Sequence, residues 1–112
     1  MQSVTPEHVR QALEASKLES VSVDVTSRRA TLQVSVINDG SEYRHSLSFE
    51  GVSKFRLDRP STDSWEYVEL SEITLEPERG QWRFWAELWD SDALEVISDT
   101  VAFDGSRVKP AS

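Results

Sequence analysis

The stretch that most restricts what this chain can fold into is Trp82-Arg-Phe-Trp-Ala-Glu-Leu-Trp-Asp90. At the two-residue period of a strand, Trp82, Phe84, Ala86 and Leu88 fall on one face, and Arg83, Trp85, Glu87 and Trp89 on the other. A half-buried strand is apolar on one side only. Here two indoles stand on the side that should be wet. They are either covered by a helix of the same chain or turned toward a partner. Trp82 belongs in the core, and so does Trp65.

A helix over residues 5–18 could supply that cover. Thr5 can cap it, Pro6 suits its first position, and Glu7 sits at the positive end of the helix dipole. Val9, Ala12, Leu13 and Ser16 form a narrow stripe that must dock on a sheet, because so thin a face cannot hold a helix in water. Beyond it the period becomes two. Val21, Val23 and Val25 alternate with polar residues, and Ala30, Leu32, Val34 and Val36 do so again after Thr26-Ser-Arg-Arg29. Asn38-Asp-Gly-Ser41 marks a hairpin, with a loop expected to exceed two residues slightly.

Leu47 and Phe49 keep the alternation, whereas Val52, Phe55 and Leu57 fall out of phase. Gly51 lies at the slip, which predicts a bulge or sharp bend dividing strands of about 43–50 and 52–58. Residues 59–64 read as a loop. The segment 65–76 carries Glu66, Glu69, Glu72 and Glu76 at helical spacing. Its Tyr, Val, Ile and Thr content favours a strand instead, with a bulge near Ser71-Glu72 where the phase breaks. Pro77-Glu-Arg-Gly80 turns it into the aromatic strand. Asp90-Ser-Asp92 makes another turn, and a last strand runs from Leu94 to Phe103, before a polar tail over 106–112 that is expected to fray.

Charge narrows the function. Residues 1–62 hold 8 acids and 8 lysines or arginines, while residues 63–104 hold 12 acids against Arg79 and Arg83 alone. The chain as a whole carries −8. Nucleic acid and anionic membrane surfaces both demand the opposite sign. A basic protein would be attracted. There is no cysteine, so disulfides, thiolate metal sites and a cysteine nucleophile are excluded together. No apolar run is long enough for a membrane helix and no signal-peptide pattern opens the chain, so a soluble, cytoplasmic protein is expected.

Sites of chemistry are sparse. His8 and His45 lie far apart in sequence with no nucleophile-elbow serine and no ligand spacing. Asp90-x-Asp92 resembles the start of a calcium loop, yet the sixth and twelfth positions hold Glu95 and Val101 rather than Gly and Glu. Turn chemistry accounts for both aspartates. Neither a metal nor a cofactor is expected, and the chain does not read as an enzyme.

A resemblance is carried by Leu18-Glu-Ser-Val-Ser-Val23, by Leu47-Ser-Phe-Glu-Gly-Val52 with Phe55, and then by the acidic hairpin and a closing strand ending Thr100-Val-Ala-Phe-Asp-Gly105. Over residues 18–105 the pattern of strands is similar to small bacterial immunity proteins of polymorphic-toxin systems. That resemblance implies a small non-enzymatic protein that caps a toxin, the acidic half suiting a basic nuclease. The order of helix and strongly bent sheet also resembles the Sm-like architecture. Arg79-Gly80, however, precedes a strand unlike the second Sm motif, and the acidity argues against RNA.

The expectation is a mainly β domain over residues 1–105. An N-terminal helix is followed by a curved antiparallel meander of six or seven strands, closing toward a barrel or small sandwich. It should work as a protein-binding module. Glu66, Glu69, Glu72, Trp85, Glu87 and Trp89 would contact a basic partner, without nucleic acid or membrane. The alternatives are a self-associating structural protein, paired as a homodimer through a strand edge or the Trp85/Trp89 face, and a small-ligand carrier with an aromatic interior.

Overall fold

The computed structural model describes residues 3–58, 68–88 and 92–110. Thr5 caps α1 (Pro6–Leu13) by accepting the His8 N–H at 3.2 Å. Val9 and Leu13 are buried as the stripe requires. The helix stops well short of residue 18. Ala15 turns left-handed at φ 61°, and the following backbone is claimed by residues 68–70. Ala15 N–H donates to the Leu70 carbonyl (3.0 Å), Leu70 N–H to Ser16 (2.9 Å), and Leu18 N–H to Val68 (2.8 Å). Ser16 stays inside as the entry to a strand, not as a fourth helical contact.

Nine strands follow among the described residues, more than the meander of six or seven expected. They are β1 (Lys17–Asp24), β2 (Arg29–Asn38), β3 (Ser41–Glu50), β4 (Lys54–Asp58), β5 (Leu70–Glu78), β6 (Gln81–Leu88), β7 (Ala93–Ser98), β8 (Thr100–Phe103) and β9 (Ser106–Arg107). All pair antiparallel, in a five-stranded sheet β1-β2-β3-β8-β9 and a four-stranded sheet β4-β7-β6-β5. The two sheets do not close into a barrel. Leu32, Val34, Leu47 and Phe49 from one sheet and Phe84, Ala86, Leu94 and Val96 from the other share one core. The Phe49 and Phe84 rings meet across it at 5.5 Å. Trp82 is buried there as expected; Trp65 lies outside the described residues. No described helix is long and apolar enough to cross a membrane.

Two bends create the second sheet. β3 continues into β4 through Gly51, and β7 continues into β8 through Asp99, so a two-stranded ribbon leaves one sheet and enters the other. Gly51 takes φ +68°, and a Cβ there would collide with the Asp99 carboxylate. Asp99 N–H donates to the Glu50 carbonyl at 3.0 Å, while its Oδ1 accepts the Gln81 amide at 3.0 Å. This also explains the last stretch. Leu94 and Val96 face the core from β7, and Val101 and Phe103 face it from β8, because the chain changes sheets between them. The sequence pattern reads that stretch as one strand.

The hairpins are tight. Asn38 pairs with Ser41, Glu78 with Gln81, and Phe103 with Ser106, and each two-residue loop has positive φ at both positions (Asp39-Gly40, Arg79-Gly80, Asp104-Gly105). The first is therefore shorter than expected, and Pro77 lies in β5 and not in the turn. The bulge near Ser71 is present, as the register shift between Leu70 and Glu72. The tail is not frayed as far as Val108. β9 pairs with β8, Val108 is buried, and Lys109 N–H donates to the Val4 carbonyl at 2.9 Å.

Two substitutions test this account by urea denaturation. Gly51→Ala should lose about 3 kcal/mol, combining left-handed strain with the Asp99 clash, whereas Gly40→Ala, which meets nothing, should lose about 1 kcal/mol. Ser16 Oγ is buried without a partner among the described residues. Ser16→Ala should therefore be neutral or stabilising by up to about 1 kcal/mol; a clear destabilisation would reveal a hydrogen bond that this fold does not contain.

Candidate functional site

Strict alternation in β6 puts Trp82, Phe84, Ala86 and Leu88 inward and Gln81, Arg83, Trp85 and Glu87 outward. Neighbouring strands complete the outer face in rows. Trp85 stands between Thr74 on β5 and Glu95 on β7, with Arg56 of β4 beyond Glu95. Arg83 lies between Glu76 and Ile97, next to Lys54. Glu87 lies between Glu72 and Ala93, next to Asp58. The bulge at Ser71 keeps Glu72 on this side while Ile73 and Leu75 turn inward.

Trp85 is partly buried in a shallow depression of about 190 Å³ lined by Arg56, Asp58, Arg83, Ala93 and Glu95. No residue of α1 lines it. The helix instead runs along β5 with Val9 and Leu13 in the shared core. Cover of Trp85 by the helix, one of the two arrangements open from sequence, is therefore not the one found. A helix stripe this thin is used up by the open flank of the sandwich. Trp89 and Glu66 lie outside the described residues. Glu69 pairs with Lys17 where β1 meets the start of β5, and it is partly buried there.

The charges on this face are sorted. Glu95 accepts Arg83 Nε at 2.7 Å and Lys54 Nζ at 2.8 Å. Those two bonds, Lys54 first, hold its carboxyl below the usual carboxylate range despite the opposing effect of burial. Arg83 reaches Glu76 more loosely at 3.9 Å, and Arg56 is held by Asp58 at 3.2 Å. Cations thus gather on the β4 side. On the β5 side Glu72 and Glu87 face each other in register, and neither has an ion-pair partner among the described residues.

A second cluster lies elsewhere, and sequence reasoning missed it. His45 Nδ1 sits 2.7 Å from Asp104 Oδ2, and Asp104 Oδ1 accepts the Ser46 N–H at 2.8 Å. The rings of His45 and His8 both pack on Phe103, at 5.0 and 5.8 Å. Only the pairing of β3 with β8 brings these residues together, and no local motif announces it. A carboxylate-oriented histidine is two parts of a nucleophile–base arrangement. No hydroxyl is hydrogen bonded to His45 among the described residues, so here the pair ties the β8–β9 turn to β3. No three His, Cys, Asp or Glu side chains among those residues gather as metal ligands.

The Glu95 bonds have a pH signature. A carboxyl whose folded pKa is depressed adds stability above its unfolded pKa and loses it as pH falls through the folded value. Glu95→Gln should therefore be less stable than the parent at pH 7 by about 1 kcal/mol, both cations being partly solvated. The difference should vanish on acidification below the ordinary carboxylate range. Equal losses at pH 7 and pH 3 would show that shape, not charge, makes the contribution.

No family model and no curated protein matches the chain. A solved structure does: an uncharacterized protein from Neisseria gonorrhoeae superposes with a TM-score of 0.64 at 14% identity, over 81% of this chain and 91% of that one. At that identity the likeness is one of fold.

Proposed function

We propose that the chain is a protein-binding module, without catalytic activity, whose contact surface is the outer face of the four-stranded sheet and whose partner is basic. The observation that carries this reading is the Glu72–Glu87 pair. Like charges directly opposite on adjacent strands destabilise a sheet. This pair stands on the same face as a partly exposed indole, and lysines or arginines from a partner would relieve it. Trp85 supplies what an interface anchor needs: a large apolar ring, a rim of arginine and carboxylate, and no cover from the helix α1. Glu69 extends the acidic flank.

The resemblance of residues 18–105 to immunity proteins narrows the partner to a basic toxin domain, and we place the encounter in the cytoplasm, where a chain without cysteine is at home.

The test is capture at low salt from the native cytosol, eluted by a salt gradient. Wild type would run beside Trp85→Ala and a Glu72→Lys/Glu87→Lys double variant, each checked for native circular dichroism. One basic protein should be held by wild type and elute at moderate salt. Trp85→Ala should weaken it at least about tenfold, and the double variant should abolish it. Binding indifferent to salt, or retained by the double variant, would reject the reading.

A further inference from the structure

β4 is an edge strand, paired with β7 and, among the described residues, with nothing on its other side. An open edge presents unpaired backbone groups, and most proteins blunt it with charge. The residues here do something more specific. Lys54, Arg56 and Asp58 project from the outer face and are exposed, while Phe55 and Leu57 lie on the core side and remain only partly covered. The strand therefore reads cation, apolar, cation, apolar, anion.

Reversed and laid against itself, this order is complementary at its two ends. In an antiparallel pairing about a two-fold axis through Arg56, Lys54 stands opposite the second copy's Asp58, and Phe55 opposite its Leu57. Both contacts occur twice. The two arginines meet at the axis, where each is already held by Asp58 of its own strand at 3.2 Å. This register uses all five residues of β4, brings Lys54, which also holds Glu95 at 2.8 Å, opposite Asp58 twice on one face, and further covers four partly buried apolar side chains on the other. Moving the axis to Phe55 would set Lys54 against Arg56, and moving it to Leu57 would leave Lys54 and Phe55 without partners in β4.

We infer that β4 is the contact between two copies of this chain, joined edge to edge into a continuous eight-stranded sheet. The occupant is a second copy because the two charged ends of the strand, Lys54 and Asp58, are complementary when the strand is laid against its own reverse. Two molecules of charge −8 repel at long range, so the pairing is weak and is favoured by physiological salt over low salt. The inference stands on the edge strand alone and is independent of the acidic-face reading. Its geometric consequence is that both Trp85 rings open onto one side of the joined sheet.

The chain's lack of cysteine permits a register-specific test. Directly opposed Cα atoms in an antiparallel pair lie about 4.5–5.5 Å apart, within reach of a disulfide. Arg56→Cys should cross-link to itself under mild oxidation at least tenfold faster than the exposed turn variant Val25→Cys, measured at matched high-micromolar concentration. Lys54→Cys and Asp58→Cys should each fail alone, since like positions would be more than about 13 Å apart, yet cross-link when mixed. Circular dichroism of every variant checks that the fold is kept, and all four positions are exposed. Trapping of Arg56→Cys at the control rate would overturn the proposal. So would self-linking of Lys54→Cys as fast as the mixture, which would mean a different register or a different contact.

Discussion

The corner at Gly51 and Asp99 is the constraint on which the rest of the molecule depends. A ribbon of two strands cannot turn from one sheet into another without a residue that tolerates positive φ and has no side chain where the strands crowd. Gly51 meets both conditions, and Asp99 fills the vacant space while bonding to the β3 backbone and to Gln81. Because the bend falls there, Phe49 faces one way and Phe84 comes to meet it from the other sheet. Without the bend, Phe55, Leu57, Leu94 and Val96 would have no second layer to cover.

The outer face of the four-stranded sheet follows from the same geometry. Four strands in fixed register set their outward residues in rows, so each side chain has assigned neighbours across the sheet. Glu95 is enclosed by two cations and is satisfied. Glu72 and Glu87 face one another with none among the described residues. The difference between a structural carboxylate and one open to a partner is here a matter of row, and composition alone does not reveal it. Trp85 shares the row of Glu95 and stands beside the row of Glu72 and Glu87.

Much of this fold could be read before any coordinates. The period-two runs, the bend at Gly51, the bulge near Ser71 and the burial of Trp82 all arise from local pattern, and local pattern survives folding. What could not be read depends on contacts distant in sequence. The helix reads as continuing to residue 18 because Ser16 falls in phase with the Val9, Ala12 and Leu13 stripe, but backbone pairing with Leu70 ends it at Leu13. The strand from Leu94 reads as single because nothing local announces that Asp99 must pair at Glu50. The site was half legible. Trp85 was identified as outward-facing, but whether the helix or a partner covers it depends on where Val9 and Leu13 dock. The His8–Phe103–His45 cluster was invisible for the same reason.

The sheets are joined by more than apolar contact. Main-chain hydrogen bonds cross between them where Ser16 and Leu18 meet residues 68–70, and the covalent ribbon crosses again at Gly51 and Asp99. Layers held by side chains alone can slide, and small sliding motions are a common way for packed elements to relay a signal. Here shear of one layer over the other would break backbone bonds at one corner and strain a glycine at the other. Mechanically the molecule is a stiff bracket, and the face carrying Trp85 is presented already shaped, so that the binding proposed there would cost little ordering of the scaffold beneath.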